Sequence, residues 1–354
     1  MGKVSPNPLV GCVIVDKDMR FLGVGAHEKY GAPHAEINAI ANVKASHKNL
    51  DIALNGATIY VTLEPCNHTG KTPPCCDEIL KYKFARVIYG ANDPNPQNTS
   101  GMEKIKAAGI EVYLDEIWSE DCKKLAQVFL CNQTQKRPFV GLKTAVSLDG
   151  AIGQDGSRRV WLTGERARTY GHYLRAYYDA ILIGNKTLFA DNPTLDCRHP
   201  LFDRIRNKKI ILDPHGKINQ FADSKLPNLL AGEPELVIIV TQKDTILANS
   251  ILDLGIHQWN ILSSQATEKN IPRLLETCLT NGIYSVLIEG GALTYQPFLN
   301  ARAVDKLHFF QAPKIIGKNQ NFWVQPLQQD KGIDVTHSEL TLLDGDILIE
   351  GTLV

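Results

Sequence analysis

The sequence has no excess of charge of either sign, because 38 Lys and Arg residues are matched by 38 Asp and Glu residues among 354. Without net positive charge there is no field to attract a nucleic-acid backbone, so we expect small molecules, and no nucleic acid, as partners. No hydrophobic run approaches the roughly 20 residues that a membrane-spanning helix needs, and we expect no membrane association. The sequence also has no internal repeat and no low-complexity tract, which favours ordinary globular domains.

Cysteine is present in only eight copies, and no positively charged, apolar leader is visible at the start of the sequence. Reduced thiols in a cytoplasm are the simplest interpretation, so we expect a cytoplasmic protein. The chain is 44% hydrophobic, which with its length suffices for two domain cores.

The order of predicted elements indicates two α/β domains. In the first half, strands are predicted at residues 10–15, 21–26, 57–63, 84–90 and 110–113, and helices near residues 33, 75 and 102. This alternation is typical of a three-layer α/β domain. The segment 131–138 is polar and ends in proline, which suits a domain boundary, and we predict domains over residues 1–132 and 138–354.

The second half repeats the alternation with a different pattern. Strands are predicted at residues 139–147, 180–184, 209–213, 236–240 and 284–289, helices at 165–176 and 271–280, and a closing antiparallel pair around 306–312 and 340–354. The second half is not a copy of the first, so the two domains are expected to have different folds.

Residues 33–76 carry the parts of a catalytic zinc site. His34 lies at a predicted helix start, Cys66 follows a predicted strand, and Cys75 begins the next helix. These positions share one edge of the sheet, and one imidazole with two thiolates leaves the fourth position of a tetrahedral zinc open for water. Glu36 is placed to carry a proton. The pattern matches the H-x-E and P-C-x-x-C signature of zinc deaminases in part, because eight residues separate the two cysteines here.

Other interpretations stay open at this point. Cys76 competes with Cys75 as a ligand, and His68, between the cysteines, can ligate metal or contact substrate. A zinc-stabilised scaffold without activity would use the same residues. An RNA-editing or other pyrimidine deaminase would share them too, but it calls for a basic, aromatic-rich surface that is not evident. In a third alternative the second domain only binds a nucleotide.

Longer motifs extend over both halves of the sequence. They are Pro6-Asn7-Pro8-Leu9-Val10-Gly11, residues 62–75, Asp93-Pro94-Asn95-Pro96, residues 143–150, Trp161-Leu162-Thr163, Asp191-Asn192-Pro193 and Glu289-Gly290-Gly291. On these motifs the chain resembles the bifunctional riboflavin-biosynthesis enzymes, which fuse a diaminohydroxyphosphoribosylaminopyrimidine deaminase to a 5-amino-6-(5-phosphoribosylamino)uracil reductase. The resemblance implies a cytidine-deaminase-like three-layer domain followed by a dihydrofolate-reductase-like α/β domain. It also implies hydrolytic deamination of the pyrimidine, NADPH-dependent reduction of the ribosyl to a ribityl chain, and a homo-oligomer.

For the first domain the resemblance implies Glu36 as the proton shuttle. The implied ligands of Zn²⁺ are His34, Cys66 and Cys75. The implied substrate contacts are Asn7, Lys71 and Asp93, with Lys71 for the phosphate and the other two for the ring and the ribose. Ordinary turn chemistry is an alternative role for Asn7 and Asp93, since both lie in proline-bracketed turns.

For the second domain the resemblance implies a set of contacts to NADPH. They are Ala145, Trp161, Thr187, Asp191, Gly291, Ala292, Leu293, Thr294, Tyr295, Gln296 and Pro297. No G-x-G-x-x-G is present, as expected for a fold other than the dinucleotide-binding one. Backbone N–H groups where a strand meets a helix suit a cofactor phosphate.

The implied substrate contacts of the second domain are Arg159, Arg175, Leu195, Arg198 and Glu289. Guanidinium groups offer paired donors, so Arg175 and Arg198 are predicted to clamp a phosphate. Alternatively, Trp161 and Leu195 are ordinary core residues, and the arginines lie on a solvent-exposed face. Arg159 replaces a small polar residue of the family and Pro214 a serine, and we expect altered affinity from both.

Overall fold

The computed structural model describes residues 4–154, 161–202, 205–222, 225–265, 269–317, 320–324, 327 and 332–354. Two compact units divide between Lys136 and Arg137. Among the described residues, no helix combines the length and apolar character needed to cross a membrane.

Residues 4–136 form a five-stranded sheet in the order β2-β1-β3-β4-β5. The strands are β1 Gly11–Val15, β2 Phe21–Ala26, β3 Thr58–Val61, β4 Arg86–Tyr89 and β5 Glu111–Leu114. The helices are α1 Ala35–Ser46, α2 Leu50–Leu54, α3 Cys75–Leu80, α4 Gly101–Ala107, α5 Ser119–Leu125 and α6 Gln127–Gln135. Strand β1 runs antiparallel to β2 and β3, whereas β3, β4 and β5 are parallel.

Helix α1 packs directly onto the hairpin of β1 and β2. Cys12 and Ile14 alternate along β1 and are buried in the same cluster as Ala39 of the helix. The backbones approach so closely that a Cβ at Gly25 would lie 2.2 Å from the amide nitrogen of Ala39. The glycine on β2 therefore allows the start of α1, which carries His34 and Glu36, to pack closely against the sheet.

The end of this unit differs from the sequence-based expectation. The segment 131–138 was expected to be a polar linker, but α6 continues to Gln135. The helix ends where Lys136 adopts the left-handed conformation, with φ of 54°, and Pro138 follows two residues later. Helices α2, α5 and α6 were not among the predicted elements.

The described residues from Arg137 onward form a nine-stranded sheet in the order β11-β10-β9-β8-β12-β6-β13-β16-β15 and a two-stranded sheet of β14 and β7. The strands are β6 Phe139–Val146, β7 Ala151–Gln154, β8 Ala180–Gly184, β9 Lys208–Leu212, β10 Val237–Gln242, β11 His257–Leu262, β12 Ser285–Ile288, β13 Lys306–Gln311, β14 Gln320–Phe322, β15 Val335–Leu343 and β16 Asp346–Leu353. The helices are α7 Glu165–Tyr177, α8 Asn185–Asp191, α9 Asn228–Gly232, α10 Asn249–Leu252, α11 Asn270–Thr280 and α12 Ala292–Asn300.

Both faces of the large sheet are covered. Along β8, Ala180 and Leu182 belong to one apolar cluster, while Ile181 and Ile183 belong to a second cluster on the opposite face. Parallel strands buried on both sides read as continuous apolar runs, as these do. The predicted closing pair is observed as β13 and β16, which pair antiparallel, and the unpredicted β15 adds an outer strand beside β16.

Candidate active sites

The three predicted metal ligands of the first unit converge. Their ligand atoms all lie within 4.8 Å of one another. His34 Nδ1 is 3.5 Å from Cys66 Sγ and 3.3 Å from Cys75 Sγ. For zinc–sulfur bonds of about 2.3 Å and zinc–nitrogen bonds of about 2.0 Å, ligand atoms at neighbouring corners of a tetrahedron are about 3.5 Å apart. The donor set and its spacing therefore fit a zinc ion.

The fold explains why these residues meet. His34 is the residue before the first turn of α1, Cys66 follows β3, and Cys75 opens α3. The amide of Cys75 donates to Cys66 Sγ at 3.4 Å, and a hydrogen bond from the Cys75 thiol lowers the pKa of Cys66 to about 4. One sulfur is thus already stabilised as the thiolate that metal binding requires.

Neither of the alternative metal ligands, Cys76 and His68, belongs to the cluster. The thiol of Cys76 donates to the carbonyl of Pro65 at 3.4 Å, so its sulfur is engaged outside the cluster. His68 is not part of the cluster, although it lines the neighbouring cavity. Its Nδ1 is buried and has no hydrogen-bond partner among the described residues.

Glu36 lies in the first turn of α1, beside this cluster. Its side chain is only 3% exposed, and burial raises the pKa of its carboxyl group. It lines a cavity of about 370 Å³ together with His34 and Cys66. A buried carboxyl group with a raised pKa beside a metal site is suited to accept and return a proton.

The same cavity is lined by all three substrate contacts implied for the first domain, Asn7, Lys71 and Asp93. Asp93 also performs the turn chemistry considered as its alternative. One of its carboxylate oxygens accepts from the amide of Asn95 at 2.9 Å, and the other accepts from Asn98 Nδ2 at 3.1 Å. Burial raises the pKa of Asp93. The carboxylate is therefore held rigidly at the cavity wall.

His27 fixes the orientation of the Asn7 amide. Its Nδ1 lies 3.1 Å from the carbonyl oxygen of Pro33, which can only accept, so Nδ1 carries the proton. Burial lowers the pKa of His27 and favours the neutral ring. Its Nε2 is then an acceptor, and it lies 3.1 Å from Asn7 Nδ2. Asn7 Oδ1 has no partner among the described residues and is left as an acceptor.

The second unit contains a larger cavity of about 550 Å³. The predicted cofactor contacts that line it are Ala145, Trp161, Thr187, Asp191, Gly291 and Tyr295. The predicted substrate contacts that line it are Arg175, Leu195, Arg198 and Glu289. Arg159 lies outside the described residues. Pro214 is absent from the lining, and its carbonyl accepts hydrogen bonds from Gln242 and Thr245.

The remaining predicted cofactor contacts, Ala292, Leu293, Thr294, Gln296 and Pro297, are absent from the cavity lining. They follow Gly291 into α12, where only residues about four apart share a face. Gly291 and Tyr295 have that spacing and line the cavity. Leu293 is exposed, while Thr294 is buried and packs against Gly290.

Arg175 and Glu289 form a bidentate ion pair inside the cavity wall. Arg175 Nε and Nη2 donate to the two carboxylate oxygens at 2.7 and 2.8 Å. Arg175 Nη1 donates to the carbonyl of Asp196 at 2.9 Å. Burial alone would raise the pKa of Glu289, but the guanidinium holds it at about 2. Each nitrogen of Arg175 thus donates to a protein acceptor, and its Nε and Nη2 are engaged with Glu289.

Arg198, the other half of the predicted clamp, is exposed. His172 lies one turn before Arg175 on α7, with Nδ1 3.1 Å from the carbonyl oxygen of Asp196 and Nε2 3.5 Å from Arg198 Nη2. The backbone N–H of Arg198 lies 3.2 Å from the same Nδ1, so both ring nitrogens contact the segment 196–198. His172 therefore supports the loop that carries Arg198. In the sequence, the spacing of His172 from Arg175 puts both residues on one face of the predicted helix, and this pattern is the signal that indicates His172 as a cavity residue.

Trp161 and Leu195 occupy different environments. Trp161 is 54% exposed at the cavity, and the guanidinium carbon of Arg168 lies 5.1 Å from its ring centroid. Leu195 is buried in an apolar cluster and has φ of 53°, an uncommon conformation for a branched residue. Trp161 is therefore available to stack on a ligand, whereas Leu195 contributes to the core as well as to the cavity wall. Sequence reasoning missed Arg168 and His172 as cavity residues.

Comparison with known proteins identifies similar sequences for both units. Residues 2–91 match the family described as the cytidine and deoxycytidylate deaminase zinc-binding region, and residues 138–349 match the RibD C-terminal domain. The riboflavin biosynthesis protein RibD of Bacillus amyloliquefaciens is 37% identical over 320 residues, which cover 89% of this chain and 81% of the relative. RibD of Actinobacillus pleuropneumoniae is 34% identical over 361 residues, which cover 100% of this chain and 92% of the relative.

Solved structures with both domains are similar over the whole chain. Form 1 of Acinetobacter baumannii RibD matches with a TM-score of 0.82 and 32% identity, covering 100% of this chain and 94% of the other. A Thermotoga maritima diaminohydroxyphosphoribosylaminopyrimidine deaminase/5-amino-6-(5-phosphoribosylamino)uracil reductase matches with a TM-score of 0.82 and 33% identity, with the same coverage.

Proposed function

The chain belongs to the family of riboflavin biosynthesis proteins RibD, and on this premise we propose how its residues divide the two reactions of that family. The predicted deaminase and reductase activities, the zinc and NADPH cofactors and the two-domain α/β fold are confirmed by the matched families and structures. We assign deamination to residues 1–132 and reduction to residues 138–354. The substrates are small molecules, and we propose the phosphorylated diaminopyrimidine named for the Thermotoga maritima enzyme as the first of them.

In the deaminase, His34, Cys66 and Cys75 are the proposed zinc ligands. Zinc held by three protein ligands supplies an activated water at neutral pH. With zinc bound, Glu36 would accept a proton from the water and deliver it to the ring nitrogen as the water oxygen adds to the amino-bearing carbon. It would then take the second proton from the added hydroxyl group and pass it to the amino nitrogen, which leaves as ammonia when the C–N bond breaks. The observation that carries this proposal is that Glu36 lines one cavity with His34 and Cys66, two members of the three-residue cluster.

Three further residues hold the pyrimidine in this proposal. Asn7 Oδ1, which His27 leaves as an acceptor, receives an N–H group of the ring. Asp93 accepts from the ribose, and the Lys71 ammonium binds the 5-phosphate. The cavity wall thus fixes the ring edge, the sugar and the phosphate, and so places the amino group at the metal site.

A single substitution tests the deaminase assignment. Glu36→Gln keeps the size and burial of the side chain but cannot accept the proton. We expect ammonia release to fall at least about 100-fold, since positioned acid–base groups contribute about 10²–10⁴-fold. Zinc content measured on the same preparation is expected to stay at the wild-type level. Ammonia release at the wild-type rate would overturn the assignment.

In the reductase, the cofactor contacts proposed are those of the sequence analysis, with Ala145, Trp161, Thr187, Asp191 and Gly291 lining the cavity. NADPH supplies a hydride that reduces the ribosyl carbon. Among the substrate contacts, Glu289 is kept ionised by Arg175 and accepts from ribose hydroxyl groups. Arg198 binds the phosphate, because it is the member of the predicted clamp whose guanidinium remains exposed.

The test of this half is NADPH oxidation with the deaminated pyrimidine supplied directly. Arg198→Met is expected to raise KM for that substrate with little change in KM for NADPH, because the phosphate is on the pyrimidine side of the reaction. Absence of NADPH oxidation by the wild-type chain would refute the assignment of a reductase to this unit.

Three properties of the whole protein complete the proposal. We propose a cytoplasmic location, supported by the eight cysteines, which all lie in described residues and form no disulfide. Equal numbers of acidic and basic residues support the absence of a nucleic-acid partner. A homo-oligomer is supported by the outer strand β15, on which Leu340 is 71% exposed and Leu342 is 74% exposed. Light scattering coupled to size-exclusion chromatography measures that state directly.

A further inference from the structure

The Lys71 side chain lies against the turn between β2 and α1. Its Nζ is 4.0 Å from the centroid of the Tyr30 ring. The next residue, Gly31, has φ of 79°, and a Cβ there would lie 3.3 Å from Lys71 Cδ. The aliphatic part of the lysine thus passes over a glycine, where there is room for it, and the ammonium rests on the aromatic face. Tyr30 and Gly31 together form a cradle for Lys71.

Among the described residues, the Lys71 ammonium has an aromatic neighbour but no ion-pair partner. Within the described part of the chain, no carboxylate lies within ion-pair distance of its Nζ. Lys71 and Tyr30 line the same cavity as Glu36, and both are exposed at it. The ring is attracted to the ammonium through its quadrupole but leaves the opposite side of the ammonium open to an anion.

A free lysine would lose much conformational entropy on binding a phosphate, because its long side chain must be immobilised at that moment. A lysine already resting on a ring has lost part of that freedom before the ligand arrives. Preorganisation of this kind strengthens binding without adding a contact to the ligand.

We propose that Tyr30 is a specificity-determining positioning residue of the deaminase site, which holds the Lys71 ammonium where the 5-phosphate of the pyrimidine substrate binds. This inference rests on the proposed assignment of Lys71 to that phosphate. Tyr30 acts through Lys71 and not on the reacting atoms. It therefore sets the preference for the phosphorylated pyrimidine over its dephosphorylated nucleoside.

The test compares Tyr30→Leu with Tyr30→Phe in the zinc-loaded full chain. Leucine keeps an apolar side chain but removes the aromatic face, whereas phenylalanine keeps the face and removes only the hydroxyl group. The measured quantity is the ratio of kcat/KM for the phosphorylated pyrimidine to kcat/KM for the dephosphorylated one. We expect Tyr30→Leu to lower this ratio about 2- to 5-fold, through a higher KM for the phosphorylated substrate. We expect Tyr30→Phe to leave the ratio at its wild-type value.

A second pair of variants separates this inference from the proposed function on which it rests. Lys71→Met is expected to abolish most of the preference, and Tyr30→Leu is expected to have no further effect in the Lys71→Met background. If Lys71→Met leaves the ratio intact, the assignment of Lys71 to the phosphate is wrong. If Lys71→Met lowers the ratio but Tyr30→Leu does not, the positioning role of Tyr30 is overturned while the proposed function stands.

A purely structural role for Tyr30 gives a different result. It would lower kcat/KM equally for both substrates or reduce the zinc content, and either outcome overturns the inference. Tyr30 is 43% exposed, so its replacement removes little buried contact. Tyr30→Gln, which is also without an aromatic face, provides a second variant in which the same fall of the ratio is expected.

Discussion

Replacing Arg175 by methionine tests the buried ion pair that shapes the reductase cavity. The side chains of Arg175 and Glu289 are 16% and 11% exposed, and two hydrogen bonds of 2.7 and 2.8 Å join them. The pKa of Glu289 lies at about 2, against an ordinary value of 4.5. That difference corresponds to ~3 kcal/mol of stability at neutral pH. It agrees with the ~3–5 kcal/mol lost when one member of a buried pair is removed.

The pH dependence has a definite sign. Since the pKa of Glu289 is depressed in the folded chain, its contribution is complete above pH 4.5 and is lost as the pH falls toward about 2. In Arg175→Met the attraction is gone and burial raises the pKa of Glu289 above 4.5 instead. The variant then recovers part of its deficit as the pH falls from about 7 to about 5, because the carboxyl group becomes neutral.

Denaturant unfolding followed by tryptophan fluorescence is the assay. Trp118 is the tryptophan of the first unit, so in a Trp118→Phe background the signal comes from Trp161, Trp259 and Trp323 of the second. We expect Arg175→Met to lower the unfolding free energy by about 3–5 kcal/mol, and the double variant with Glu289→Gln to lose less. A loss below about 1 kcal/mol, or one that does not shrink between pH 7 and pH 5, would refute the reasoning.

Other expectations concern the deaminase unit. His27→Leu removes the acceptor that orients the Asn7 amide, and we expect KM for the pyrimidine to rise about 5-fold or more, as for the loss of one ~1 kcal/mol hydrogen bond. Because His27 acts through Asn7, His27→Leu should have no further effect in an Asn7→Ala background, and additive effects would show that the two residues act separately. Gly25→Ala places a Cβ within 2.2 Å of the Ala39 amide nitrogen, so we expect ~1–3 kcal/mol of destabilisation in thermal unfolding. Gly232→Ala serves as the control, because a Cβ at Gly232 meets open space. Chelation of zinc is expected to stop ammonia release and to leave NADPH oxidation with deaminated substrate intact; a parallel loss of both activities would contradict separate sites.

The zinc site could be predicted from the sequence because each of its ligands occupies a recognisable local position. His34 begins a helix, and Cys66 lies just after a strand, so their meeting at one sheet edge follows from the topology. The choice between Cys75 and Cys76 did not follow, since neighbouring helix residues point in directions about 100° apart. The position of α3 in the structure shows that the Cys76 thiol donates a hydrogen bond to the carbonyl of Pro65.

The reductase cavity was harder to predict for two physical reasons. The pairing of Arg175 with Glu289 joins residues that are 114 positions apart, and no local pattern indicates which charges a fold brings together. The second reason is that the residues after Gly291 enter α12, where helix geometry places Tyr295 in the cavity lining but not its neighbours in the helix.

The central claim is that one chain carries both reactions, and product analysis from a single incubation tests it most directly. The zinc-loaded chain is supplied with the phosphorylated diaminopyrimidine and NADPH, and both products are followed by mass spectrometry together with ammonia and NADPH. We expect one ammonia released and one NADPH oxidised for each ribityl product, with the deaminated ribosyl compound appearing first. Ammonia release without any ribityl product, or NADPH oxidation without deamination, would contradict the account.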